Sequence, residues 1–277
     1  MRLFRRNSLT MITPLSGGLI PNFKELWTYR ELFLMLAMRD IKVRYKQTVL
    51  GAAWAVIQPL TTMVIFTVIF GRLAKIPSEG YPYPVFVYTG LLPWTFFANT
   101  LSTSSNSLVN SSALISKIYF PRLIVPLSSM GVGLVDLLIS MSILLLLMFF
   151  YHIAWSIQIL IVPFLVMGIF VTVLGVGLFL SALIVTYRDF RFVIPFMVQI
   201  WMYITPVVYG VDFIPVQWRW LLFLNPMTGY IDNFRAAFLG KPFNWDSLSI
   251  AVTLSLLLLG IGAAYFGKVE RRFADVI

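Results

Sequence analysis

The 277-residue chain is 59% hydrophobic and only 12% charged, with a mean hydropathy of +0.87. A soluble domain carries about 25% charged residues to cover its surface, so this composition describes a multispanning membrane protein. With no cysteine and one histidine, His152, the chain excludes disulfides, thiolate metal sites and cysteine nucleophiles, and leaves little for histidine acid–base chemistry.

The N-terminus, MRLFRRNSLTMITPLSGG, is basic but no apolar run follows it, so residues 1–21 read as a cytoplasmic tail rather than a cleaved signal. Residues 22–46 mix charged and apolar side chains, with Phe23, Leu26, Arg30, Phe33 and Ala37 one turn apart. This pattern predicts an amphipathic helix lying in the inner interface, followed by a basic linker. Apolar runs of membrane-crossing length fall at about 50–70, 85–108, 124–150, 157–185, 192–209 and 247–267. Residues 210–246 are too apolar for a solvated loop and too interrupted by Pro and Gly for two full crossings. They predict short re-entrant helices dipping into the outer leaflet, where protein or water must satisfy any irregular backbone. The expected fold is an all-α integral membrane protein: one transmembrane domain over 47–267 with six spans, the interfacial helix before it, and a cytoplasmic tail at 268–277.

The net charge of +10 raises the possibility of nucleic acid, but its distribution argues otherwise. With both termini placed inside, sixteen Lys and Arg lie on the inner side and five (Arg72, Lys75, Arg219, Arg235, Lys241) on the outer. That asymmetry is the positive-inside bias of a membrane protein with cytoplasmic termini, and it removes the nucleic-acid reading.

Four features carry chemistry. Residues 262–269, GAAYFGKV, come close to a phosphate-binding loop, but Val269 stands where the Mg²⁺-binding hydroxyl belongs. The stretch also closes an apolar span, where Lys268 can snorkel, so the chain is expected to bind no nucleotide, metal or other cofactor itself. Asp136 is the one acid within the predicted spans, which hold no Lys or Arg. Its role stays open between transport and a structural anchor to serine, backbone or a second subunit; the groups of a proton relay are missing around it.

Residues 94–112 form the densest polar run: twelve of nineteen are Ser, Thr or Asn and none is charged. On a helix Asn99, Thr103, Asn106 and Asn110 share one stripe. Uncharged donors and acceptors suit a wet path for a hydroxyl-rich polymer that must slide; interhelical packing or an exposed helix end are the alternatives. Trp94, Phe97, Trp201 and Tyr203 join the candidate lining because sugar rings stack on aromatic faces, and Tyr209, Trp218, Trp220 and Tyr230 form a candidate outer gate. Interfacial belt positions are the competing reading for all eight. Finally, the inner loop SALISKIYFPR (112–122) suits a rigid docking lever, with Ser111 or Ser112 as its cap and Pro121 as its stop. Tyr119 and Phe120 offer bulky anchors, Lys117 and Arg122 offer charge, and Ser116 lies between them; an ordinary basic loop is the alternative. The YRDFR loop at 187–191 and the interfacial helix are secondary contacts.

Four stretches resemble the membrane permeases of ABC-2 type polysaccharide exporters, above all those of O-antigen export: RDIKVRYKQTVLGAAWAVIQPL (39–60), PWTFFANTLSTSSNSLVNSSALISKIYFPRLIVPLSS (93–129), YRDFRFVIPFMVQIWMYITPVVY (187–209) and LNPMTGYIDNFRAAFLG (224–240). The resemblance implies a homodimer of six-span subunits in the bacterial inner membrane with a polymer conduit between them. It also implies two copies of a separate cytoplasmic ATPase that bind ATP and Mg²⁺ and dock on 112–122. The cargo would be a long glycan on an undecaprenyl-type lipid, moved from cytoplasm to periplasm. The same architecture would serve teichoic acid, capsule or a small amphiphile. A membrane-embedded glycosyl- or acyltransferase would need clustered acids, whereas Asp189, Asp212, Asp232 and Asp246 are scattered; an ion-coupled carrier lacks intramembrane charge.

Overall fold

The computed structural model describes residues 23–46 and 53–270, and every regular element among them is helical. In chain order these are α1 (Phe23–Thr28), α2 (Arg30–Lys46), α3 (Ala53–Phe66) with a π-helical extension (Thr67–Leu73), α4 (Tyr83–Asn110), α5 (Ser112–Ile115) and α6 (Ile124–Phe150). A 3₁₀ turn (Ile157–Ile161) leads into α7 (Val162–Thr186), followed by α8 (Phe190–Ile204), α9 (Arg219–Phe223), α10 (Pro226–Leu239) and α11 (Trp245–Glu270). The tails at 1–21 and 271–277, and the start of the first predicted span, lie outside the described residues.

Four helical segments are long and apolar enough to cross a bilayer: Ala53–Leu73, Ile124–Phe150, Ile157–Thr186 and Trp245–Glu270. At 28 residues α4 is also long enough, but its second half carries the polar run. Helix α8 has only 15 residues, a rise of roughly 22 Å against a hydrocarbon core of about 30 Å. The predicted run to residue 209 therefore breaks early. Thr205 precedes Pro206, and that position is pushed out of the α region; Thr205 is extended at φ −85°, ψ 138°.

Helix α4 is the hub. Val85, Phe86, Val87, Tyr88, Leu91 and Leu92 are buried in one apolar core with residues of α6, α7 and α10. Helices α7 and α11 pack backbone to backbone. A β-carbon on Gly175 would stand 2.5 Å from the Leu259 nitrogen, and one on Gly262 would stand 2.0 Å from the Gly175 oxygen. The small residues of 168–182, the nearest thing to a dimerisation motif in the sequence, are thus occupied within the chain. Gly177 faces Ser104, and Gly168 faces the Tyr230 ring.

Two details concern the ends of the bundle. Helix α2 packs along α6, burying Leu36 and Ala37 while Leu34, Met35, Met38 and Val43 stay exposed. The predicted re-entrant segment becomes 3₁₀ turns, the five-residue α9 and the 14-residue α10. The sequence Asn225-Pro226…Gly240 frames α10 by ordinary capping. Asn225 Oδ1 accepts from the Met227 N–H at 3.1 Å, and Gly240 closes the helix in the left-handed region at φ 68°. All but Asp232 of its fourteen residues are buried, so α10 is part of the core rather than a surface cover.

Candidate transport site

The polar run of α4 divides by face. Thr100, Ser104, Ser105 and Ser107 are buried, and a β-carbon on Gly133 of α6 would stand 2.0 Å from Thr100 Oγ1, so this face is close interhelical packing. Asn99 and Asn106 are half-buried, whereas Thr103 and Asn110 are exposed, and these four make the accessible stripe. Thr103 Oγ1 and Asn106 Nδ2 donate to carbonyls one turn back, at 2.8 and 2.9 Å, which ties their donors to the helix. The run thus has a packed face and a partly exposed one, and on the latter Asn106 Oδ1 is buried without a hydrogen-bond partner.

The aromatic candidates divide too. Trp94 is 3% exposed and Phe97 is fully buried, stacked on each other at 5.4 Å, while Phe97 meets Trp201 edge-on at 5.0 Å. This is the seam between α4 and α8, so in this structure Trp94 and Phe97 line no open surface. Trp201 is half-buried and donates Nε1–H to Asn225 Oδ1 at 2.9 Å. Tyr203 is exposed. Of the gate candidates, Trp218 and Trp220 are exposed and Tyr209 is half-buried, its hydroxyl on the carbonyls of Tyr203 and Ile204. Tyr230 is a correction: it is buried, and its hydroxyl closes a chain with Ser255 (2.9 Å), which is 2.7 Å from Thr172, linking α10, α11 and α7. Its ring fills the space opposite Gly168 and is no gate.

Asp136 finds a partner that spacing along α6 could not reveal. Its carboxylate is 2.7 Å from the Arg44 guanidinium and accepts a hydrogen bond from the Tyr45 hydroxyl, both on α2. Burial, then the hydrogen bond to Asp136, pushes the Tyr45 hydroxyl well above the usual phenol range, so it remains a donor. Arg44 and Asp136 also border a small crevice with Gln58, Thr95, Asn99 and Ser140. The acid anchors α2 to α6, rather than bonding serine or backbone.

In the inner loop only the first turn, α5, is helical. Ser111 sits at the N-cap without a side-chain hydrogen bond, and the helix ends at Ile115, well before Pro121. Ile118 and Tyr119 are more than half exposed and Lys117 is exposed, whereas Phe120 is 4% exposed, packed with Leu108, Leu123 and Leu178. Phe120 therefore holds the loop to the bundle and presents nothing to a partner. Arg122 is likewise engaged: its backbone N–H donates to Glu270 Oε1 at 3.2 Å and its guanidinium to the Glu270 carbonyl. Ser116 donates to the Ala113 carbonyl at 3.3 Å. Ile118, which the sequence does not set apart from its neighbours, is an exposed apolar side chain beside Tyr119. Residues 262–269 lie wholly within α11, so their amides serve the helix and cradle no phosphate.

The described residues form a helical bundle with four helices long and apolar enough to cross a membrane and an uncharged polar run on α4, the build of a membrane-spanning protein. Residues 31–239 match the family model for ABC-2 type transporters, and the chain belongs to that family. It is 29% identical over 248 residues to an O-antigen export system permease protein RfbA of Klebsiella pneumoniae, covering 89% of this chain and 95% of the relative. The RfbA of Myxococcus xanthus is 26% identical over 257 residues, 92% of this chain and 98% of the relative. A polysialic acid transport protein KpsM of Escherichia coli is 25% identical over 241 residues, 83% of this chain and 90% of the relative.

Proposed function

We propose that this permease carries an O-antigen-type polysaccharide on an undecaprenyl-type lipid from the cytoplasm across a bacterial inner membrane. It works as a pair of identical subunits driven by two copies of a separate ATPase. Each subunit crosses six times, through α3, α4, α6, α7, α8 completed by the 205–209 turn, and α11, with both termini in the cytoplasm. The charge asymmetry of the loops supports that orientation.

The observation that carries the cargo reading is the partly exposed, uncharged stripe of Asn99, Thr103 and Asn110, with Asn106 half-buried within it, on a chain otherwise this apolar. Such a face exchanges hydrogen bonds with passing hydroxyls without holding a fixed charge on them. The named exports of the relatives point the same way. Energy enters through Ile118, Tyr119 and Lys117 at the inner end of the bundle. The test is deletion of the chain from its host followed by complementation. Surface polymer should vanish, accumulate inside as a lipid-linked glycan, and return with the native chain, which should copurify with an ATPase. Normal surface polymer after deletion would end the proposal. The relationship to a polysialic acid transporter keeps capsular polymer as a second cargo, which the chemistry of the accumulated glycan decides.

A further inference from the structure

Arg235 is the one charged side chain among the described residues that is buried, at 2% exposure. The loop charges of the sequence placed it in an outer segment, yet it lies inside α10 with its guanidinium 4.0 Å above the Phe86 ring of α4. Its Nη2 donates to the carbonyls of Pro206 (3.2 Å) and Val207 (3.0 Å), and Nη1 to that of Tyr209 (3.4 Å). The remaining carbonyl of the turn, Val208, accepts from the Tyr83 hydroxyl at 2.8 Å. All four carbonyls that follow the break at Thr205-Pro206 are therefore held by α10 or α4. The approach requires Gly90: a β-carbon there would stand 2.5 Å from the Val207 oxygen and 2.8 Å from Arg235 Nη2. The other end of α10 is fastened to α8 as well, since Asn225 donates to Thr205 Oγ1 at 2.8 Å and accepts from Trp201.

A buried cation is costly unless paired, and here Nη1 and Nη2 are held by backbone carbonyls freed by a broken helix rather than by a carboxylate, while Nε is buried without a hydrogen-bond partner. We infer that Arg235 is a latch that fastens the end of α8 and the re-entrant α10 to each other and onto α4, so that the outer closure opens only when α8 moves and carries α10 with it. Arg235 is a positioning residue: it touches no cargo and acts through the 205–209 turn. The inference rests on the permease reading above and adds the part that couples α8 to closure. Without the latch the turn loses its donors, the helix–turn–helix unit divides, and the outer end no longer closes tightly when the transporter rests.

The test uses the full chain with its ATPase in cells that lack a galactoside permease and contain cytoplasmic β-galactosidase. Influx of o-nitrophenyl galactoside reports leakage, alongside surface polymer and the amount of permease in the membrane. Arg235→Met should raise influx at least tenfold at an unchanged amount of permease, because it removes three hydrogen bonds from a charged group and losing one such bond already corresponds to about a tenfold shift at about 1.4 kcal/mol per tenfold. Arg235→Lys, a compact point charge without the planar fork whose two terminal nitrogens reach carbonyls on different parts of the turn, should leak as well. Gly90→Ala and Tyr83→Phe should leak less than Arg235→Met but more than the native chain. A residue that only stabilised the fold would lower the amount of permease without raising influx. If Arg235→Met fails to accumulate, Tyr83→Phe decides, because it removes a single hydroxyl. Tight membranes in Tyr83→Phe and Gly90→Ala at native permease levels overturn the latch. In that case loss of polymer on deleting the chain leaves the carrier reading standing, whereas unchanged polymer on deletion defeats both.

Discussion

Replacing Arg44 with methionine tests whether Asp136 is an anchor or a working group. The Arg44–Asp136 pair spans 2.7 Å, with the acid 14% and the arginine 43% exposed. Breaking a fully buried pair costs about 3–5 kcal/mol, and an exposed pair about 0–1 kcal/mol. With one partner near water the interaction falls between, at about 1–2 kcal/mol after screening. The two single mutants should differ. Arg44→Met strands a carboxylate against α6 with only the Tyr45 hydroxyl left, and should cost that full amount. Asp136→Leu leaves a guanidinium that can reach water, and should cost under about 1 kcal/mol. The double mutant should be no less stable than Asp136→Leu alone, giving a coupling energy of about 1–2 kcal/mol. At about 2–4 °C for each kcal/mol, Arg44→Met should melt roughly 2–8 °C lower, read as the monodisperse fraction left after heating in mild detergent. Asp136→Asn keeps an acceptor for Tyr45 and should retain export. Strict additivity in the double mutant would refute the pairing, and lost export in Asp136→Asn at native stability would refute the anchor role.

Ile118→Ala with Tyr119→Ala should abolish copurification of the ATPase without changing the melting temperature. Phe120→Ala should instead cost about 3–5 kcal/mol, the range for emptying a buried phenylalanine site; the reverse pattern in pull-down and melting would move the docking surface. Asn99→Leu with Asn106→Leu should lower surface polymer while stability holds, whereas Gly133→Ala should destabilise by about 1–3 kcal/mol through its clash with Thr100. Equal effects of the two on stability would mean that the faces of α4 are misassigned. Tyr230→Phe should cost under about 1 kcal/mol, as interhelical hydrogen bonds in membranes do, and leave export intact. A blocked or leaking exporter in that variant would return Tyr230 to the gate.

Composition and the positions of four apolar spans were legible from the chain alone because hydropathy is read one segment at a time. A run of apolar residues crosses wherever its neighbours lie, and α6 begins and ends at the predicted 124 and 150. The break after α8 was also written locally, in Thr205-Pro206, although the apolar run passes through it. Facing is a different matter. Helical periodicity sorted Asn99, Thr103, Asn106 and Asn110 onto one stripe, and that stripe is the accessible one, because its complement is small residues that match small residues of α6 and α7. No comparable signal separated Phe120 from Tyr119, or Tyr230 from Trp218. Each pair reads alike in sequence, and burial depends on which distant helix occupies the adjoining space. The partners of Asp136 lie 91 and 92 positions away, and the carbonyls that hold Arg235 belong to another helix's end. A charge counted as loop by its position becomes the centre of the bundle once α10 folds inward, and only the tertiary structure, by supplying three carbonyls and an aromatic face, makes that burial affordable.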